Sequence, residues 1–92
     1  MPARSEATAL AQARLPDAVD LHARPAADFV RAAMGFDSEI RVEHDGKEAN
    51  AKSLMAVLAL GAKGGSLLAL SAEGDDAATA VEALADRLAT LE

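Results

Sequence analysis

The core of this chain has to be made almost without aromatic rings. Phe29 and Phe36 are its only aromatic side chains, and a large share of its 51% hydrophobic residues is alanine. Leucine, valine, isoleucine and methionine must therefore supply the bulk, with alanine where two elements approach closely. With 92 residues, such a chain buries only about 60 to 65% of the surface it exposes when unfolded. One small core is the limit, so residues 1–92 are expected to form a single domain. Residues 1–7 begin with turn formers and show no period, and are expected to be a loose terminus.

Composition removes several function classes. There is no cysteine, so disulfide scaffolds and thiolate metal sites are excluded, and nothing asks for an oxidising compartment. A cytoplasmic location is the expectation. A formal net charge of −6 argues against nucleic-acid binding, which works by neutralising phosphates with basic surface. No apolar run approaches the roughly 18 residues of a membrane span, and Met1 to Arg14 has no hydrophobic signal region. The chain reads as soluble, unprocessed and without membrane partners.

Periodicity orders the elements. Residues 9–15 alternate weakly, and Pro16 is tolerable there only on an edge strand or at its end. From Ala23 to Met34, Ala26, Phe29, Val30 and Ala33 recur at helical spacing, with Pro25 in the first turn and Gly35 just past the end. Ser38 to His44 alternates Ile40 and Val42 with charged neighbours, and His44-Asp45-Gly46-Lys47 is a hairpin signal before Glu48 to Asn50. Residues 53–60 start on an N-cap serine and end at Gly61, which favours a helix over a buried strand. A strand over 66–73 leads to a last helix carrying Ala77, Val81, Leu84, Leu88 and Leu91, with Asp75 and Asp76 at the positive end of its dipole. The order β-α-β-β-α-β-α predicts an α+β open-faced β-sandwich. Its sheet would be four-stranded and mostly antiparallel, with three helices on one face.

Chemistry concentrates before the first helix. A lone histidine at a helix start is more often solvated or capping than reactive, but His22 has unusual neighbours. The first N–H groups of a helix are unpaired and, with the dipole, attract anions. Ala23 and Arg24 can donate there, whereas Pro25 cannot. The imidazole of His22 could carry a phosphoryl group into their reach, with the Arg24 guanidinium adding a charge-assisted contact. Nucleophile, anion hole and cation fall within three consecutive residues.

The segment Leu21-His-Ala-Arg-Pro-Ala-Ala-Asp-Phe-Val30 resembles the active-site segment of the HPr phosphocarriers of the phosphoenolpyruvate-dependent sugar phosphotransferase system. Asn50 to Gly65 (NAKSLMAVLALGAKGG) is similar to that family's regulatory-site helix and following turn, and the element order is the family's. The resemblance runs from about Ala9 to Glu92. It implies a carrier with no cofactor and no metal, a protein substrate of two enzymes more than an enzyme itself. His22 would take the phosphoryl group on its δ1 nitrogen from enzyme I and pass it to enzyme IIA, with Arg24 contacting the group. Ser53 matches the serine that an HPr kinase/phosphorylase modifies in some bacteria. Leu54, Met55, Lys52 and Arg31 would belong to a docking surface, used briefly by a monomer.

Two readings of Ser53 stay open, since an N-cap serine is worth about 1 kcal/mol without any regulatory role. Leu54 and Met55 read first as core, yet a helix apolar on nearly every face cannot bury all of itself in so small a domain. One residue departs from the family pattern: Asp20 stands where glycine is usual. Glycine permits a backbone angle that aspartate adopts less readily, which puts the shape of the loop before His22 in question. Gly61 to Ser66 lacks the spacing of a nucleotide loop, and His44 reads as a solvated strand residue. Two alternatives accompany the sugar carrier: an HPr-like regulatory or interaction protein acting through Ser53, and a carrier of a nitrogen-related or dihydroxyacetone-kinase phosphorelay.

Overall fold

The computed structural model describes residues 7–92. Seven elements follow in the expected order: β1 Ala7–Arg14, α1 Ala23–Ala33, β2 Glu39–His44, β3 Lys47–Asn50, α2 Leu54–Ala59, β4 Leu67–Gly74 and α3 Ala77–Ala89. The four strands form one sheet in the order β1-β4-β2-β3, and every pairing is antiparallel.

Side-chain alternation decides which face the helices take. Ile40 and Val42 of β2, Ala49 of β3 and Leu68, Leu70 and Ala72 of β4 are buried. Between them stand the exposed Glu39, Arg41, Glu43, Glu48, Leu67 and Glu73. The buried set meets Phe29, Val30 and Ala33 of α1, Val57 of α2, and Ala77, Ala80, Val81, Leu84 and Leu88 of α3 in one cluster. Phe29 is completely buried, and its central position follows from the stripe it shares with Ala26, Val30 and Ala33. Alanine acts as expected in β1: Ala9, Ala11 and Ala13 pack against the core, and their small size lets α3 lie close across β1.

The first strand was only partly legible. It starts at Ala7, which pairs with Gly74 and is not part of a loose terminus; residues 1–6 lie outside the described residues. Alanine gives too little hydrophobic contrast for its alternation to show. Pro16 follows the end of β1, which is an edge strand, as its missing N–H requires. The hairpin between β2 and β3 turns on Asp45 and Gly46, both at positive φ (53° and 83°), as a type I′ turn demands.

Candidate functional site

His22 is the N-cap of α1. Its backbone is extended (φ −108°, ψ −161°) and its side chain makes no capping hydrogen bond. The His22 carbonyl accepts the Ala26 N–H at 2.8 Å, starting the helix, while the exposed imidazole stays available. Pro25 fills the third helical position and is buried. It anchors the first turn in the core and removes one N–H from it, so Ala23 and Arg24 carry the N–H groups without an intrahelical partner.

The loop before His22 is held on both sides. Its own turn is closed by the His22 N–H donating to the Asp20 carbonyl at 2.9 Å, and the Leu21 N–H donates to the Ala62 carbonyl at 2.9 Å. Farther back, the Leu15 N–H donates to Ser66 and the Gly65 N–H to Leu15, at 2.9 and 3.1 Å. The turn after α2 is thus the seat on which the His22 loop rests. Gly64 is the tightest point: a Cβ there would stand 2.0 Å from the Asp17 carbonyl oxygen, so only glycine permits the approach.

Asp20 needs no left-handed backbone; among the described non-glycine residues only Asp45 has positive φ. Its carboxylate instead accepts the Gly64 N–H at 2.8 Å. The side chain that departs from the expected glycine therefore has a specific partner.

The other candidate residues are distributed over α1 and α2, which pack against each other. Arg24 and Arg31 are exposed, and neither has an ion-pair partner among the described residues, where Arg87–Asp28 forms a bridge of 3.1 Å. The Lys52 ammonium donates to the Phe36 carbonyl at 2.6 Å. It ties the segment after α1 to the start of α2 and is less free than the two arginines. Ser53 is the N-cap of α2, and its hydroxyl accepts the Ala56 N–H at 3.3 Å. Leu54 and Met55 are 39% and 76% exposed. Met34 is 64% exposed and was not singled out from sequence, although it falls outside the buried stripe of α1.

A family model described as the PTS HPr component phosphorylation site matches residues 11–90. The chain belongs to the HPr family. The phosphocarrier protein HPr of Buchnera aphidicola subsp. Acyrthosiphon pisum (strain APS) is 50% identical over 72 residues, which cover 78% of this chain and 85% of that protein. The crystal structure of a phosphocarrier protein HPr from Bacillus anthracis str. Ames aligns with a TM-score of 0.84 at 40% identity, covering 89% of this chain and 98% of its own. An HPr dimer from Thermoanaerobacter tengcongensis aligns with a TM-score of 0.67 at 55% identity, covering 72% and 76%. The family membership makes this chain a phosphocarrier of the phosphotransferase system and not a catalyst in its own right. No described helix is long and apolar enough to cross a membrane.

Proposed function

We propose that His22 is the phosphoryl acceptor of this HPr, charged by enzyme I at the ultimate cost of phosphoenolpyruvate and discharged to enzyme IIA in sugar uptake. The observation that carries the reading is the N-cap geometry: an exposed imidazole whose backbone starts the helix while its side chain makes no capping hydrogen bond. An imidazole attacks only when neutral, and its δ1 nitrogen forms the P–N bond as the donor's bond to phosphorus breaks. The transferred group enters the positive end of the α1 dipole, where the Ala23 and Arg24 N–H groups and the Arg24 guanidinium receive it.

Docking would use the α1 start and α2. Leu54 and Met55 supply exposed apolar contact, and Arg24, Arg31 and Lys52 supply local positive charge on a chain of net charge −6, suited to acidic partners. A carrier meets its partners briefly, so a small interface worked by a monomer suffices. Ser53 is a regulatory site where a kinase for it exists, and the cytoplasm is the compartment of such a relay. The reading is tested by charging the protein with enzyme I and phosphoenolpyruvate and mapping the modified residue.

A further inference from the structure

We propose that Asp20 is a positioning residue for phosphoryl transfer, acting through the Gly64 N–H to hold His22 in its acceptor geometry. The inference rests on the reading of His22 as the acceptor. Asp20 is two residues before His22, and the two are joined directly by the hydrogen bond from the His22 N–H to the Asp20 carbonyl at 2.9 Å. Whatever fixes Asp20 therefore fixes the peptide that enters the N-cap. Its carboxylate is fixed by the Gly64 N–H at 2.8 Å, across 44 residues of sequence.

Gly64 is a firm support. Its α-carbon is pressed against the backbone of Pro16 and Asp17, where a Cβ would stand 3.0 and 2.0 Å from the two carbonyl oxygens. The neighbouring Gly65 N–H is bound to the Leu15 carbonyl at 3.1 Å. An anchor on such a turn transmits little slack to the residue it holds. The bond to a carboxylate is charge-assisted and stronger than a neutral one. It also has an electrostatic use. A free carboxylate near the α1 start would compete with an incoming phosphoryl group for the N–H groups there, whereas the Asp20 carboxylate already accepts the Gly64 N–H.

Transfer is sensitive to such placement, because an ångström of displacement in a reacting group can cost on the order of a hundredfold in rate. Asp20→Ala removes the acceptor, and Asp20→Asn keeps an oxygen at the same place without the charge. The experiment measures kcat and KM of enzyme I for the parent and both variants, well below their melting temperatures, together with amide hydrogen exchange at Gly64.

The expected result for Asp20→Ala is faster Gly64 exchange, kcat lowered by roughly tenfold or more, and KM nearly unchanged because the docking residues are untouched. Asp20→Asn should restore Gly64 protection and most of kcat. Unchanged kcat in Asp20→Ala would overturn the proposal, and so would an equal loss in Asp20→Asn with Gly64 still protected, which would assign the effect to charge alone. Parent protein that takes no phosphoryl group on His22 would strike the functional reading itself. A charged parent with an unaffected Asp20→Ala strikes only the positioning role.

Discussion

The carboxylate of Asp76 accepts the Ser38 N–H at 3.0 Å and also the Ser38 hydroxyl. Asp76 is the N-cap residue of α3 but makes no side-chain cap bond to its own helix. It reaches instead to the segment between α1 and β2, where the Asp37 N–H adds a third donor at 2.8 Å. Gly74 fits against this point because a Cβ there would stand 2.6 Å from the Ser38 hydroxyl oxygen.

Acid stability follows from that arrangement. The Ser38 hydroxyl first, and then the Asp37 N–H, favour the ionised carboxyl and hold Asp76 below the ordinary value of 3.8. Because the folded-state value is depressed, the contribution is complete above about 3.8 and is lost as pH falls through the lower folded value. Asp76→Ala should therefore be less stable than the parent in urea at neutral pH, and the gap should narrow as pH falls below about 3.8. A gap independent of pH would show that the carboxylate charge is not what Ser38 and Asp37 recognise.

Substitution of Arg24 should separate transfer from folding. The side chain is exposed and has no ion-pair partner among the described residues, so Arg24→Ala should change stability by no more than about 0.5 kcal/mol. Transfer should slow roughly ten- to a hundredfold, as expected when a group facing the transferred charge is removed. Arg24→Lys should recover part of the rate, because a point charge lacks the planar fork. Full activity in Arg24→Ala, measured by single-turnover transfer from enzyme I, would mean that the backbone N–H groups suffice.

A phosphate or its mimic at Ser53 acts on stability and on docking with opposite signs. Ser53 caps α2 through the Ala56 N–H, and aspartate caps equally well while adding charge at the positive end of the dipole, worth roughly 0.3 to 1 kcal/mol. Ser53→Asp should melt at the same temperature as the parent or slightly above. Phosphorylation of His22 should nevertheless slow if the proposed docking holds, because a charge beside Leu54 and Met55 resists desolvation and would repel acidic groups of a partner seated there. An unchanged rate would place Ser53 outside the docking surface and leave it a capping residue.

What the sequence disclosed depended on whether the signal was local. The ends of α1 were legible because Pro25 and Gly35 bracket one apolar stripe, and the β2–β3 turn because only certain residues accept positive φ at Asp45 and Gly46. The start of β1 falls two residues before the expected one because Ala7 is exposed and carries no apolar signal; what makes it a strand residue is its pairing with Gly74, far along the chain. His22 stood out through consecutive residues, whereas its support did not. Asp20 and Gly64 are 44 residues apart, and Ser38 and Asp76 are 38 apart. Nothing in either local segment names its partner. Asp20 could be recognised as a departure from the expected glycine, but its role depends on the turn that folding brings beside it.

The central claim is that phosphate resides on His22. Incubation with enzyme I and phosphoenolpyruvate, followed by intact-mass measurement and peptide mapping, tests it most directly. The expected result is one phosphoryl group per chain, on the peptide that contains His22, released by mild acid as a P–N bond is and a phosphoserine is not. His22→Ala should fold normally and take up none. Labelling that persists in His22→Ala, or that survives acid, would contradict the account.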